Sequence, residues 1–372
     1  MSSAKDIAIS FLGNALHDTR VTNLIKSFTA VNFNVKVISF DGSNEAKQNL
    51  PANIKLFKIN RKGLNLGFYV SFLKLLFTEL LKTKADIYFA EDIYSLPITY
   101  IVARYKKKKV FYNSRELYPF LAGLRKRPII QFCIRQIEKF FIRRVDLVMT
   151  TGEMDADFLV GYYGIKRPMV LRNLPLYRTA NNPINFHEKL HIDTRLKILL
   201  YQGVILDGRG IEPLLNAMTT VTDCALVILG DGASKEKYQN LMRQLHLENR
   251  VFFMGTIQQD ALINYTSGAD VGVSLIENIS RSYFLALPGK LFEYIMAHVP
   301  VLVSDLPQMR AIVEQNNIGE IIDLNDSNDL KVKLQHLIQD DEALSQYKLN
   351  CETASKKLNW ESEFQKLVEI IT

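Results

Sequence analysis

At 372 residues the chain is too long for one small core and predicts two domains, with the 48% apolar and 23% charged content of an ordinary globular protein. Its three cysteines, Cys133, Cys224 and Cys351, stand alone, which excludes a disulfide framework and predicts a reducing cytoplasm; no CxxC or clustered His/Cys spacing suggests a structural metal. The net charge of +7 is uneven: residues 1–175 carry 28 Lys and Arg against 14 Asp and Glu, and residues 176–372 carry 18 against 25. The first half is therefore the one to face an anionic partner.

The first six residues offer no apolar signal core ahead of Asp6–Phe11, which reads as a buried strand. Gly13-Asn14 starts a loop, Arg20 to Ala30 has helical spacing, and Val35–Phe40 is the next strand. Strands at Ile54–Ile59, Ile87–Ala90, Val110–Tyr112 and Leu147–Thr150 alternate with helical stretches, the pattern of a parallel sheet wrapped by helices. Leu64–Leu81 is very apolar, but Lys74 and Glu79 interrupt it, so a covering helix is expected there and not a membrane span.

Asn173-Leu-Pro175 with Arg178–Pro183 reads as a linker, after which the pattern restarts. Strands are expected at Lys197–Tyr201, Cys224–Leu229, Val251–Met254, Val271–Leu275, Val301–Val303 and Glu320–Ile322, separated by helices and followed by three C-terminal helices. In open parallel sheets ligands sit beyond the carboxyl ends of the strands, so polar residues just after strands carry the chemistry. In the first half these are Gly13, Asn14, His17, Asp18 and Arg20, then Glu91 and Asp92, then Asn113 to Glu116. In the second they are Gly203, Asp207, Arg209 and Gly210, then Gly230 to Gly232, Glu277 to Arg281, Lys290 and Glu293.

The second set is the more coherent. Pro288-Gly289 turns the chain into a short helix, with Pro288 expected at its first position. Lys290 then adds a cation to a helix start that is already electropositive, an arrangement that makes sense with a bound anion. Arg209 stands just before another helix start, so the two could hold a diphosphate, with Glu293 placed for a ribose diol. No GxGxxG and no GxxxxGK[ST] occurs, which counts against a nicotinamide dehydrogenase and a P-loop ATPase.

Gly230-Asp-Gly232 reads as a strand-to-helix turn, His17 and His298 as structural, and Asp155-Ala-Asp157 as solvated helix surface in place of a metal pair. Lys106–Lys109, Arg125-Lys-Arg127 and the expected helix Ile129–Val145 are basic with interleaved Ile and Phe. Arg135, Lys139 and Arg143 recur every fourth residue, a pattern suited to an anionic lipid surface. No nucleic-acid module is recognisable.

These residues resemble glycosyltransferase family 4. The resemblance rests on Gly208–Leu215, Leu229–Gly232, Leu287–Tyr294 and Pro300–Asp305, with Asp18–Val21, Tyr112–Tyr118 and Arg172–Pro175 in support. It implies an α/β GT-B fold: two Rossmann-like domains facing a cleft, and a last helix around Trp360 crossing back to the N-terminal domain. The corresponding division is residues 1–175, a linker over 176–194, residues 195–355, and the helix 356–372. The resemblance further implies a retaining transferase that takes sugar from a nucleotide-sugar donor, here expected to be a UDP- or GDP-sugar, with no metal or other cofactor. Together with the basic, apolar-interleaved first half it leads to the expectation of a lipid-linked glycan acceptor and a cytoplasmic enzyme peripheral on the inner face of the cell membrane.

By carry-over, Arg209, Lys290, Arg115 and Glu116 are the catalytic candidates. Gly13, Asn14, Gly203, Arg209, Gly210, Gly232, Lys290, Leu291 and Glu293 are the donor-binding ones. Two positions depart from the family pattern: Leu285 stands where an acid often faces the donor sugar, and Arg115 where a His is common. Glu116, Asp18 or the Glu277–Arg281 loop are left to supply those contacts. The rival readings are a nucleotide-sugar 2-epimerase of the same fold and a non-catalytic partner subunit.

Overall fold

A computed structural model describes residues 5–41, 51–58 and 66–371. Ile59 and Leu64, the expected ends of a strand and a helix, lie outside the described residues. The chain divides into two compact units, Met1–Arg172 with Leu367–Thr372, and Asn173–Lys366.

The first unit runs β1 (Asp6–Ser10), α1 (Thr19–Ala30), β2 (Asn34–Asp41), β3 (Ile54–Lys58), α2 (Leu66–Lys82) and β4 (Ile87–Ala90). It continues with α3 (Leu96–Tyr105), β5 (Lys109–Ser114), α4 (Pro128–Ile142), β6 (Leu147–Thr150), α5 (Glu153–Tyr163) and β7 (Met169–Val170). Its strands pair in parallel in the order β3-β2-β1-β4-β5-β6-β7.

The second unit opens with α6 (Phe186–Leu190), β8 (Lys197–Gln202), α7 (Ile211–Ala217), β9 (Cys224–Leu229), α8 (Lys235–Gln244) and β10 (Val251–Gly255). Next come α9 (Gln259–Thr266), β11 (Val271–Ser274), α10 (Arg281–Phe284), α11 (Gly289–Met296), β12 (Val301–Ser304) and α12 (Pro307–Asn316). After β13 (Gly319–Ile322), α13 (Ser327–Gln339) and α14 (Asp341–Ser355), α15 (Trp360–Ile371) carries the chain back into the first unit. The second sheet is parallel too, in the order β10-β9-β8-β11-β12-β13.

Helices on both faces of each sheet explain the strand sequences. All six residues of β9, Cys-Ala-Leu-Val-Ile-Leu, are buried, because neither face of a doubly covered strand meets water. Leu200, Ala225 and Val227 face one core layer, and Leu199, Leu226 and Ile228 the other.

Local signals place the functional loops. Asp18 caps α1 by accepting from the Val21 amide at 2.9 Å. Pro288 is the extended residue before α11, not its first helical residue as the spacing suggested; Gly289 takes that place. The helix ends in a Schellman turn: His298 adopts a left-handed φ of 58°, its N–H donates to Ile295 O, and Val299 N–H donates to Tyr294 O. His298 is therefore structural, as expected.

Candidate active site

In each sheet the chain reverses its winding direction beside the first strand, leaving a crevice at the carboxyl ends of β1 and β4 and another at those of β8 and β11. The candidate residues gather at these two places, one in each unit.

In the second unit, β8 delivers Gln202 and Gly203, the segment before α7 delivers Arg209 and Gly210, and the start of α11 delivers Lys290 and Glu293. Gly210 caps α7 with φ 71°, and a Cβ there would fall 2.0 Å from Leu275 O, so only glycine fits. Its N–H donates to Glu277 Oε1 at 3.3 Å, which ties the loop after β11 to the start of α7. A Cβ on Gly232 would lie 2.2 Å from Ile205 O, so the turn packs backbone to backbone. These two glycines shape the crevice by close approach.

Lys290 Nζ lies 3.7 Å from the centroid of the Tyr201 ring, its stem running along Gly203, and Arg209 Cζ lies 4.8 Å from that of Tyr283. Among the described residues neither cation forms an ion pair. Loss of hydration, then the Arg209 charge, push the Lys290 ammonium down to about 7 against the opposing pull of Glu293. Two neighbouring cations, neither in an ion pair among the described residues, are an arrangement that could hold an anion.

Glu293 is held on both oxygens: Gln202 Nε2 donates to Oε2 at 2.5 Å and Gln259 Nε2 to Oε1 at 3.3 Å. Thr266 Oγ1 donates to Gln202 Oε1 at 2.8 Å, which turns the Gln202 amide toward Glu293. Sequence reasoning missed Gln202, although a polar residue ending an otherwise apolar strand is a usable signal. It missed Gln259, Tyr201 and Tyr283 as well.

Leu291 packs its side chain fully into the core, and its N–H, in the first turn of α11, donates to Pro288 O. Leu285, where an acid was expected, is buried, and its carbonyl accepts from Gln308.

In the first unit a pocket of about 400 Å³ is lined by Gly13, Asn14, His17, Asp18, Arg115 and Glu116, with Phe11, Leu12, Asp92, Tyr94 and Tyr118. Here the expected residues do come together. Arg115 Nη1 pairs with Asp18 Oδ2 at 2.8 Å while Asp18 Oδ1 caps α1. Burial works against the Arg115 charge, but Asp18 and Glu91 more than offset it and raise its pKa. Asp92 accepts from the Leu12 and Ser95 amides, fixing the loop after β1.

Beneath the pocket Arg20 is buried, donating to Asn113 Oδ1 at 3.2 Å and Leu171 O at 2.7 Å. Asn113 in turn donates to buried Glu91.

Two further expectations change. Asp155 is buried and accepts from Thr151 Oγ1 at 3.4 Å, whereas Asp157 is exposed and pairs with Arg167. No three His, Cys, Asp or Glu side chains group as a metal site among the described residues.

The expected basic helix is α4, shorter than its pattern. Arg143 lies just past its end and donates to Tyr163 O. Buried Glu138 anchors α4 by accepting from Tyr112, Tyr163 and Ser114 hydroxyls. Ile129 and Phe132 on α4 are 78% and 52% exposed.

Comparison with known proteins follows the same division. The family described as glycosyl transferases group 1 matches residues 184–354, and that described as Glycosyltransferase Family 4 matches residues 18–173. A curated relative from Campylobacter jejuni, N-acetylgalactosamine-N,N'-diacetylbacillosaminyl-diphospho-undecaprenol 4-alpha-N-acetylgalactosaminyltransferase, is 24% identical over 59% of this chain and 59% of its own. The chain spans 34% and 59% of the lengths of the first two curated relatives it matches.

Two solved structures share the fold across both units. A sucrose-phosphate synthase from Thermosynechococcus elongatus is 16% identical, covers 99% of this chain and 98% of its own, and has a TM-score of 0.79. HepE from Anabaena, in complex with UDP and glucose, is 13% identical over 99% of each chain, with a TM-score of 0.74.

Proposed function

Because the chain belongs to the group 1, family 4-like glycosyltransferases, we propose that it moves a sugar from a nucleoside-diphosphate sugar to a lipid-linked glycan acceptor, with retention and without a metal. The observation that carries this reading is the pair Arg209 and Lys290, two neighbouring cations with no ion pair among the described residues. As the bond from anomeric carbon to phosphate oxygen breaks, negative charge collects on the departing diphosphate, while the acceptor hydroxyl oxygen bonds to that carbon and passes its proton to the departing phosphate oxygen. Preorganised cations act most strongly on charge that develops in this way. Glu293, held by Gln202 and Gln259, keeps lone pairs for the ribose hydroxyls. Arg115 and Glu116 in the first-unit pocket face the acceptor and the transferred sugar.

UDP is the first nucleotide to try, since HepE is solved with it. A ligand at a hundredfold excess over its Kd stabilises a protein by about 2.7 kcal/mol. UDP or GDP should therefore raise the melting temperature by several degrees, and UDP- or GDP-sugars should be consumed in the presence of acceptor. Neither stabilisation nor turnover with any of them would overturn the reading.

The same reading sets the enzyme on an anionic membrane surface through α4. Support comes from exposed Ile129 and Phe132, from Lys139 and Arg144, and from an acceptor named for diphospho-undecaprenol in the Campylobacter relative. No described helix is long and apolar enough to cross a membrane. Phosphatidylglycerol vesicles should sediment the protein, less so at high salt. Ile129→Ser with Phe132→Ser should weaken that binding by roughly tenfold or more, and equal binding by the variant would sink the surface assignment.

A further inference from the structure

We infer that Tyr201 and Tyr283 are positioning residues, whose rings hold the Lys290 ammonium and the Arg209 guanidinium in place for a diphosphate, where carboxylates would compete with it. This inference rests on the proposed diphosphate site. An aromatic face attracts a cation through its quadrupole but carries no net charge. A cation resting on a ring therefore keeps its full attraction for an incoming phosphate, whereas one paired with Asp or Glu must first give up that partner. The distances of 3.7 Å and 4.8 Å are contact distances for such an interaction.

Both rings are fixed by their surroundings. Tyr201 is 1% exposed near the end of β8, a strand paired on both sides, and its hydroxyl donates to Val204 O at 2.9 Å. The Lys290 stem also lies beside Gly203, where a Cβ would stand in ordinary contact, 3.5 Å from Lys290 Cε. Tyr283 sits in α10, held by its backbone N–H donating to the Ser280 hydroxyl at 3.2 Å. Gly208 lies against its ring, where a Cβ would come within 3.0 Å of Tyr283 Cε2.

The two cations differ in one way that makes the roles separable. Burial and the Arg209 charge lower the Lys290 pKa to about 7, and a ring face 3.7 Å from the ammonium favours its charged form. Arginine, unlike lysine, does not lose its proton in proteins.

The test is calorimetric titration of the full chain with UDP and with GDP at pH 6 and pH 8. It compares wild type, Tyr201→Phe, Tyr201→Leu and Tyr283→Leu. Tyr201→Leu should bind about tenfold more weakly at pH 8 and less than about threefold more weakly at pH 6. Tyr201→Phe, which keeps the ring, should stay within about twofold of wild type. Tyr283→Leu should lose about fivefold at both pH values.

Wild-type affinity in Tyr201→Leu at pH 8 would overturn the inference while leaving the diphosphate site standing; an equal loss at both pH values would support the ring's positioning role and reject only its effect on the Lys290 proton. If Tyr201→Leu does not fold, Tyr283→Leu decides, since its ring is partly exposed, and unchanged affinity there rejects the inference. Wild type that binds neither nucleotide rejects the site and the inference together.

Discussion

Lys290→Met is expected to lower sugar transfer by about a hundredfold to a thousandfold, the usual cost of removing one preorganised group that stabilises developing negative charge. Methionine keeps the stem along Gly203 and over Tyr201, so the loss reports the charge and not a cavity. Stability should move the other way at low pH. The folded-state pKa of about 7 lies below the ordinary lysine value of 10.5, so the folded protein holds fewer protons than the unfolded chain between those values. Stability therefore rises with pH across that window, and it is below pH 7 that carrying the charged lysine costs most. Melting curves from pH 6 to pH 9 should show this rise in wild type and lack it in the variant. Nucleotide affinity should show the reverse in wild type, falling as pH climbs above 7. A variant with near-normal turnover, or a wild type whose affinity is flat from pH 6 to pH 9, would contradict the assignment of Lys290.

Arg20→Met should destabilise the first unit by about 3–5 kcal/mol, because it leaves the buried Glu91 carboxylate without its largest compensating charge. Arg20 is 1% exposed, and burial lowers its pKa to about 10, so it remains a cation near neutrality. Its charge opposes the upward push that burial exerts on the Glu91 pKa. Without it Glu91 keeps Arg115 as its nearest compensation and its pKa rises further. A carboxyl whose folded pKa lies above its unfolded one loses stability as pH rises through the folded value. The deficit measured by urea unfolding should therefore be smaller at pH 5 than at pH 8, and adding Glu91→Gln should recover part of it. A deficit under about 1 kcal/mol at pH 8, or one that grows toward acid, would show that Arg20 does not compensate Glu91.

Much of the fold was legible because doubly covered strands such as β9 are continuous apolar runs. The short elements were not. β7 has two residues and α10 four, too few to show any period. At the site, Arg209 and Lys290 were legible because each stands beside a helix start, a feature local in the chain. Tyr201 and Gln202 were not, because their partners depend on α11 packing across β8, about 90 residues further along. Glu138 shows the same limit from the other side. It sits among basic residues spaced like a solvated stripe, and only the arrival of Tyr112 and Tyr163 makes it an internal anchor.

The return of α15 has a consequence for how the protein is made. Leu367 and Ile371 are buried parts of the first unit, and the Ile371 carbonyl accepts from Lys5 at 2.6 Å. The ribosome supplies these residues only after the whole of the second unit has been synthesised. Until then the nascent first unit must wait with an uncovered apolar surface that its own residues cannot close. Its completion thus has to follow synthesis of the second unit, and folding intermediates with such uncovered surface are the ones that aggregate or recruit chaperones.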